Sequence, residues 1–323
     1  MDYRTLTGTG ATVSRICLGT MTFGSQVNET DAINMTHYAI DAGINFIDTA
    51  DMYNDGESER IVGKALKGKR DGIVLASKVR NQVGPYELKD VGLSRWHVIK
   101  GVEACLKRLD TDCLDICYLH QPDYNTPLEE SLAAFDKLVK DGKVIYVGMS
   151  NYAAWQMCQA MWICDKRLLS PPVVTQVPYN LITRSIEQEL IPFCREMDMG
   201  ITVYNPLSAG LLTGKHSGEK PPADNTRFSL SDMYYERYWY DTNFEAVKEL
   251  EEIAKKAGKS IIELAFQWIV SHEFVDSMII GFSKMEHLKS NLAAWEGEVD
   301  QETLDACDQV WEKIRGVSFK YNR

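Results

Sequence analysis

The C-x-x-C spacing of cysteines is absent from this sequence. Eight cysteines are scattered through the 323 residues, and no two of them form a C-x-x-C pair. Most of them stand in apolar surroundings, which argues against a disulfide framework of the kind found in oxidising compartments. We therefore expect reduced, mostly buried thiols. The cysteines stand at positions 17, 105, 113, 117, 158, 164, 194 and 307.

Long apolar runs and an excess of basic residues are also missing. No run approaches the roughly 20 apolar residues of a membrane span, and residues 1–5 carry neither the basic nor the apolar region of a signal peptide. The formal net charge is −11, which argues against nucleic-acid partners and anionic membrane surfaces because both need a basic footprint. These absences predict a cytoplasmic protein.

A G-x-G-x-x-G fingerprint after the first strand is absent too, since residues 16–24 offer only Gly19 and Gly24. That absence disfavours an open Rossmann sheet. Short apolar segments instead alternate with amphipathic helical segments about eight times along the chain. Eight strand-then-helix units are the number in a closed (β/α)8 barrel, the TIM barrel.

The remaining segments complete the predicted α/β architecture. Residues 3–14 read as an N-terminal β-hairpin, and residues 301–314 as an extra C-terminal helix without a partner strand. Residues 206–241 form a long loop insertion after the seventh barrel strand, and no linker composition divides the chain. We predict one barrel domain over residues 1–323.

Four polar side chains mark the ends of three successive barrel strands. Asp48 ends the second strand, Tyr53 lies on the loop behind it, Lys78 ends the third strand, and His120 ends the fourth. Catalytic groups of such barrels come from the carboxyl ends of the strands. We therefore expect these four residues to meet at one mouth of the barrel.

Together these residues could make a proton donor from a phenol. An ammonium beside Tyr53 stabilises the phenolate and lowers the tyrosine pKa from its reference value of about 10. A carboxylate paired with Lys78 keeps that ammonium charged, and His120 can hydrogen-bond the same substrate oxygen. The set suits hydride transfer to a carbonyl, in which the oxygen gains a proton.

At these residues the chain resembles the aldo-keto reductases over essentially its whole length. It is most similar to the branch that holds bacterial general-stress reductases and potassium-channel β-subunits. The Asp-Thr-Ala-x-x-Tyr run from Asp48 to Tyr53 and the following Glu59–Gly63 segment carry the resemblance. It implies that Asp48, Tyr53, Lys78 and His120 are the family's catalytic tetrad.

The resemblance also implies a nicotinamide cofactor, NADP in preference to NAD. Ser150, Asn151 and Gln176 match positions that hold the nicotinamide carboxamide, and Tyr204 matches the aromatic ring that stacks on the nicotinamide. Ser283 and Lys284 match the final cofactor segment and could meet a 2′-phosphate. The full implied set is Gly19, Thr20, Met21, Asp48, Ser150, Asn151, Gln176, Tyr204, Asn205, Pro206, Leu207, Ser208, Gly210, Leu211, Lys215, Arg227, Gly281, Ser283, Lys284, His287 and Asn291.

The adenosine end departs from the family's pattern. His287 stands where the family commonly has Gln or Arg, and Ser290 stands where it has Glu, while Asn291 is retained. These departures fall on positions that the resemblance places beside adenine. Lys215 and Arg227 could instead be solvated loop cations without a role in cofactor binding.

A small carbonyl or alcohol is the implied substrate, and loop side chains would select it. The aromatic cluster at 234–240 could cover the substrate or could simply pack the insertion onto the barrel. The candidates for lining the mouth are Phe23, Tyr53, Tyr86, Trp96, His120, Gln121, Tyr124, Tyr234, Tyr235 and Trp239.

The sequence thus predicts an NAD(P)H-dependent reductase of an aldehyde, ketone or oxidised sugar. One alternative is a redox-sensing regulatory subunit that binds the cofactor with little turnover. Another is a metal-dependent barrel hydrolase or isomerase, which would need clustered His and carboxylate ligands at the strand ends. The strand ends offer one His, one Asp and a Lys, so we expect no metal. The oligomeric state is open, with a homo-oligomer among the alternatives.

Overall fold

The computed structural model describes residues 1–85, 91–224 and 226–316. Ten strands occur in these ranges, and the last eight, β3 to β10, close into a barrel in the order β10-β3-β4-β5-β6-β7-β8-β9. The strands are β1 Tyr3–Thr5, β2 Thr12–Ser14, β3 Ile16–Gly19, β4 Phe46–Asp48, β5 Val74–Val79, β6 Leu114–Leu119, β7 Val144–Ser150, β8 Pro172–Pro178, β9 Gly200–Tyr204 and β10 Ser277–Gly281.

Helices follow the barrel strands, as the alternation of patterns predicts. Within the described residues they are α1 Glu29–Asp41, α2 Glu57–Ala65, α3 Arg95–Leu109, α4 Leu128–Lys140, α5 Ala154–Arg167, α6 Leu190–Glu196, α7 Arg227–Leu230, α8 Asp232–Tyr238, α9 Asp241–Lys256, α10 Ile261–Val270, α11 Met285–Ala294 and α12 Gln301–Arg315. Short 3-10 helices cover Arg70–Gly72, Ser185–Glu187 and Ser208–Thr213. Of the helices described, none is both long and apolar enough to cross a membrane.

The predicted fold class is confirmed. The barrel strands whose register is resolved are parallel neighbours, and β1 pairs with β2 in an antiparallel hairpin. The additional helix α12 begins at an Asp300 side chain that accepts the Thr303 N–H, which satisfies one free amide of the first turn. The predicted loop insertion at 206–241 contains α7, α8 and a 3-10 helix.

The chain divides into two compact units. Unit 1 comprises Met1–Val177, Pro192–Thr202 and Asp276–Leu288. Unit 2 comprises Pro178–Ile191, Val203–Val275 and Lys289–Arg323. The assignment of residues 1–323 to one domain stays a prediction.

Strand register places the polar strand-end residues of unit 1 on one face. Asp48 pairs with Ala76, so Lys78, two residues further along β5, points its side chain to the same face. Lys78 in turn pairs with Tyr118, and His120 follows Tyr118 by two residues. Each step of two residues keeps the side chains on one side of the sheet while moving along the strand. This stagger brings Asp48, Lys78 and His120 towards one end of the barrel.

A buried cluster of charged side chains lies behind the loop that carries Tyr53. Glu59 is fully buried, accepts a hydrogen bond from Ser77 and pairs with Arg108 at 2.6 Å. Asp51 is also buried and accepts the Met52 N–H at 2.6 Å. Burial, followed by the nearby Glu59 charge, raises the pKa of Asp51 to about 8. The cluster thus has one cation for two acids, and Asp51 is the acid that holds a proton near neutrality.

We predict that Asp51→Asn stabilises the protein in a pH-dependent way. Unfolded Asp51 releases its proton near its ordinary pKa of 3.8, whereas the folded residue keeps it until about pH 8. Between these values the native state binds more protons, so the wild-type free energy of unfolding falls as pH rises, by up to about 1.4 kcal/mol per pH unit. The variant's advantage should grow from pH 4 to 8 and then level off in urea denaturation series.

The matched control is Asp55→Asn, on the same loop but exposed. Its difference from wild type should vary far less with pH. A constant advantage for Asp51→Asn across the whole range would contradict the buried-proton assignment.

Candidate active site

An ion pair buried in unit 1 forms the centre of the candidate site. Lys78 Nζ lies 2.5 Å from Asp48 Oδ1, and the Lys78 side chain is only 1% exposed. The same ammonium donates to the Thr49 carbonyl oxygen at 2.7 Å and to the Tyr53 hydroxyl at 3.2 Å. Its three hydrogens therefore meet three oxygens, which is the full donor capacity of an ammonium.

The ion pair decides the charge of Lys78. Burial by itself lowers the pKa of a lysine, but the Asp48 charge and the hydrogen bonds to Asp48 and Tyr53 outweigh it. The net pKa of Lys78 lies above its ordinary value. The phenol of Tyr53 therefore has a permanently charged ammonium as its neighbour.

His120 lies beside the phenol and is neutral. Its ring is in edge-to-face contact with Tyr53, with ring centroids 6.1 Å apart. Burial, and then the positive charges of Lys78 and Arg80, lower the pKa of His120 to about 3. The imidazole therefore stays uncharged near neutral pH and can offer one N–H to a neighbouring oxygen. The structure brings all four residues of the predicted tetrad together.

The residues predicted for the nicotinamide carboxamide join the same network. Gln176 Nε2 donates to Asp48 Oδ2 at 2.9 Å, and the Ser150 hydroxyl donates to the Gln176 carbonyl oxygen at 2.9 Å. Asn151 Nδ2 reaches the Ser150 hydroxyl at 3.0 Å and the His120 carbonyl oxygen at 3.1 Å. Asn151 adopts a left-handed φ of 63°, which asparagine tolerates better than most residues.

The other predicted cofactor residues of unit 1 lie at two strand ends. Thr20 follows β3 and donates its hydroxyl and its N–H to the Asp48 carbonyl oxygen, while Met21 beside it is partly exposed. Gly19 allows close packing, because a Cβ there would lie 2.8 Å from Ile279.

The second strand end is β10. A cavity of about 370 Å³ opens beside the start of α11, after Gly281. Ser283 lies 3.4 Å from the His287 ring, and Lys284 is exposed. The cavity is lined by Gln26, Val27, Asp31, Asn34, Met35, Ser283, Lys284, Met285 and Glu286.

The predicted phosphate loop of unit 2 has an unusual backbone. Ser208, Ala209 and Gly210 all have positive φ, at 49°, 58° and 103°. Asn205 holds this turn, because its side chain accepts the Ala209 N–H at 2.6 Å and donates to the Tyr238 hydroxyl at 2.8 Å. Runs of left-handed residues turn backbone N–H groups into concavities that suit anions.

One buried hydroxyl in this loop is placed to bind an anion. Among the described residues, Ser208 Oγ is buried without a hydrogen-bond partner, an arrangement that normally costs free energy. A Cβ added to Gly210 would meet nothing within 4 Å, so space lies open beside it. Both observations fit a phosphate group. Leu211 is fully buried, and Pro206 and Leu207 lead into the turn.

The remaining predicted residues of unit 2 are distributed around this loop. Tyr204 ends β9, and burial, opposed by Arg237, raises its pKa to about 12. Lys215 is exposed, and the Arg227 guanidinium lies 5.7 Å from the Tyr234 ring centroid. Asn291 is buried on α11.

The predicted substrate residues of unit 1 are dispersed. Phe23 is fully buried, and Trp96 lies on α3 with the Lys100 ammonium 4.7 Å from its ring centroid. The Gln121 carbonyl oxygen accepts a hydrogen bond from Tyr152, and Tyr124 is 83% exposed. Tyr86 lies outside the described residues.

The aromatic cluster at 234–240 is largely packed against its own unit. Trp239 contacts Phe228 and Phe244, each with ring centroids 5.0 Å away, and stacks on Tyr235 at 5.6 Å. Tyr234 is buried, whereas Tyr235 is exposed. These contacts favour packing of the insertion over a free lid.

The sequence does not predict several supporting groups that contact the tetrad or lie in the buried charge cluster. The Thr49 carbonyl oxygen binds Lys78, Glu59 anchors the buried charge cluster, and Asn81 Nδ2 lies 3.2 Å from His120 Nδ1. A main-chain acceptor leaves no trace in a sequence. Glu59 and Asn81 leave a weak signal in the sequence, because Asn81 is a polar residue just after a strand end and Glu59 is a polar residue in a helix. Within the described residues no group of three or more His, Cys, Asp or Glu side chains could hold a metal.

We predict that Lys78→Met destabilises the fold, because it leaves Asp48 buried and unpaired. Loss of one partner of a buried pair costs about 3–5 kcal/mol. Adding Asp48→Asn to Lys78→Met should recover part of the loss, as measured by urea denaturation. The control is Lys64→Met, which breaks the exposed Lys64–Glu29 pair and should cost less than about 1 kcal/mol. Equal losses at Lys78 and Lys64, or no recovery in the double variant, would contradict this account.

Comparison with known proteins identifies the family. The model of the Aldo/keto reductase family matches residues 15–312. The chain is 35% identical to a probable voltage-gated potassium channel subunit beta of Oryza sativa subsp. japonica, over 91% of each chain. It is 33% identical to aflatoxin B1 aldehyde reductase member 2 of Rattus norvegicus, over 95% of this chain and 87% of the relative.

A bacterial relative covers both chains almost completely. The uncharacterized oxidoreductase YrpG of Bacillus subtilis (strain 168) is 33% identical over 96% of each chain. The family match spans most of the barrel and includes every tetrad position. The chain therefore belongs to the aldo/keto reductase family and is an NAD(P)-dependent oxidoreductase.

Proposed function

We propose that this oxidoreductase reduces the carbonyl group of an aldehyde, ketone or oxidised sugar to an alcohol, reversibly, with Tyr53 as the proton donor. The observation that supports this most is the Tyr53 hydroxyl, 3.2 Å from an ammonium that is itself paired with Asp48. An ammonium in that position favours loss of the phenol proton. A proton donor of this kind is what a carbonyl oxygen needs as it gains negative charge.

The side chains divide the chemistry between them. A nicotinamide cofactor, when bound, would supply the hydride that reaches the carbonyl carbon. Tyr53 gives its proton to the carbonyl oxygen, and Lys78 stabilises the phenolate left behind. Asp48 keeps Lys78 charged and in place, and neutral His120 donates a hydrogen bond that orients and polarises the carbonyl. In the reverse direction the phenolate takes the proton from the alcohol.

For the cofactor we propose NADP in preference to NAD. In unit 1, Ser150 and Asn151 would hold the carboxamide. In unit 2, the left-handed turn at 208–210 and the buried Ser208 hydroxyl would suit a phosphate group. Ser283 and Lys284, at the start of α11, would meet a 2′-phosphate, since a helix N-terminus and a lysine both favour anions. The cavity beside them supports this assignment.

We also propose a cytoplasmic location. All eight cysteines are free thiols, and most are buried. Free thiols persist in reducing compartments, which supports the cytoplasm.

Tyr53→Phe tests the proton donor. Removing the hydroxyl should lower kcat by about 10²–10⁴-fold, the usual contribution of a general acid, while cofactor affinity stays nearly unchanged. Steady-state rates of NADPH oxidation with a reactive aldehyde, and fluorescence titration with NADPH, measure the two quantities. Tyr152→Phe, which removes a phenol that bonds to the Gln121 carbonyl, is the control and should keep most activity. Wild-type kcat in Tyr53→Phe would overturn the assignment.

Lys284→Ala tests the cofactor preference. Loss of a charge-assisted contact to the 2′-phosphate, worth roughly 1.5–3 kcal/mol, should raise KM for NADPH about tenfold or more. KM for NADH should change little, because NADH lacks that phosphate. Lys289→Ala, within α11, removes an equal charge and serves as the control. Equal effects on NADPH and NADH would contradict the assignment of Lys284.

A second candidate is a regulatory subunit that binds the cofactor with little turnover. The similarity to the probable voltage-gated potassium channel subunit beta of Oryza sativa subsp. japonica favours this candidate. Many turnovers per chain in a screen of steroids, quinones, sugars and short aldehydes would favour the enzyme. A single slow turnover with tight cofactor binding would favour the regulatory subunit.

A further inference from the structure

His120 must present a particular ring nitrogen if it is to assist the reaction. A neutral imidazole has one N–H, on either Nδ1 or Nε2, and the other nitrogen is an acceptor. The partner of one nitrogen therefore decides the proton's position on the ring. The partner of Nδ1 in this structure is Asn81, whose Nδ2 lies 3.2 Å away.

The direction of this hydrogen bond follows from the other end of the Asn81 amide. Arg80 Nη1 donates to Asn81 Oδ1 at 3.1 Å. A guanidinium has five donors and no acceptor, so it can face the amide oxygen but not the amide nitrogen. If the amide were turned over, Asn81 Nδ2 would point its hydrogens at those of Arg80. Arg80 therefore fixes Oδ1 towards itself and Nδ2 towards the imidazole.

We propose that Asn81 is a positioning residue that sets the tautomer of His120, placing the single ring proton on Nε2. The Asn81 amide donates to Nδ1, so Nδ1 must carry its lone pair. The Nε2–H is then available as a donor to a substrate oxygen. This catalytic consequence rests on the proposed carbonyl reduction, whereas the tautomer itself does not.

Other contacts of His120 hold its main chain and its ring in this position. The His120 N–H donates to the Val79 carbonyl oxygen at 3.2 Å, and the His120 carbonyl oxygen accepts from Asn151. The Tyr53 ring lies edge-to-face against the imidazole. The main chain and the ring of His120 are thus both held in position. The hydrogen bonds from Arg80 to Asn81 and from Asn81 to His120 then decide which ring nitrogen carries the proton.

The charged and titratable groups around His120 act in the same direction. Lys78 on β5 and Arg80 after it lower the imidazole pKa to about 3, after burial as the main cause, and Tyr53 faces the ring from the β4–α2 loop. The ring is thus uncharged at neutral pH. Its one proton can be placed only by a hydrogen-bond partner.

Asn81→Asp should reverse the tautomer. A carboxylate at this position accepts a hydrogen bond from Nδ1–H, which keeps the ring proton on Nδ1 and leaves Nε2 as an acceptor that faces the lone pairs of a carbonyl oxygen. Loss of one oxyanion donor costs about 10²–10³-fold in kcat, and we expect a loss of that size with a smaller change in KM. The carboxylate should also raise the pKa of His120 and so add a pH dependence that wild type lacks.

The measurement is a two-bond ¹H–¹⁵N correlation spectrum of the full chain labelled at histidine, at neutral pH. A His120→Gln variant identifies the His120 signals among those of the six histidines. Wild type should show an unprotonated Nδ1 and a protonated Nε2. Asn81→Asp should show the reverse, and Arg80→Met, which frees the amide to turn, a mixture. Gln82→Glu adds the same charge one residue later, where Gln82 bonds only to the Gly84 carbonyl in the described contacts, and should change neither spectrum nor kcat.

A protonated Nδ1 in wild type, or an unchanged tautomer in Asn81→Asp, would overturn the proposal. The wild-type spectrum alone decides the first point, even if a variant fails to fold. The expected tautomer in a chain without reductase turnover would support the role of Asn81 and overturn the proposed function. Full reductase turnover with the ring proton on Nδ1 would support the proposed function and overturn the role of Asn81.

Discussion

The contact between Lys78 and Asp48 is the constraint on which the candidate site depends. Two opposite charges at 2.5 Å, with the lysine almost wholly removed from water, are favourable only if every remaining donor and acceptor is satisfied. Thr49 and Tyr53 take the other two ammonium hydrogens, and Gln176 donates to the second carboxylate oxygen. The requirements of a buried ion pair therefore select the positions of the neighbouring groups, the phenol among them.

The loop that bears Tyr53 is held as an extension of the barrel sheet. The Thr49 N–H donates to the Ala76 carbonyl oxygen, and the Asp51 N–H to the Lys78 carbonyl oxygen. This pairing continues past the end of β4, so the loop leaves the barrel along β5 rather than away from it. A phenol on a free loop would sample many positions at an entropic cost. Here the main chain fixes its distance to the ammonium before any ligand binds.

The sequence carried enough information to predict the barrel and the meeting of the tetrad. Both follow from periodicity and from the rule that carboxyl ends of parallel strands share one end of a barrel. The supporting contacts could not be predicted in this way. Arg80 and Asn81 lie in an irregular segment after β5, where no periodicity fixes side-chain direction, and the Thr49 acceptor is a main-chain atom. Phe23 shows the same limit, since a loop aromatic near a strand end can pack into the core.

Gln176 joins the buried ion pair to the Ser150–Asn151 segment within unit 1. Its Nε2 group donates to Asp48, so one donor of the residue implied in carboxamide binding already serves the ion pair. Ser150 and Asn151 form hydrogen bonds to Gln176 and to each other, and Asn151 also donates to the His120 carbonyl oxygen. A movement of the Gln176 side chain would therefore remove a hydrogen bond from Asp48, and with it part of the support for the charged form of Lys78.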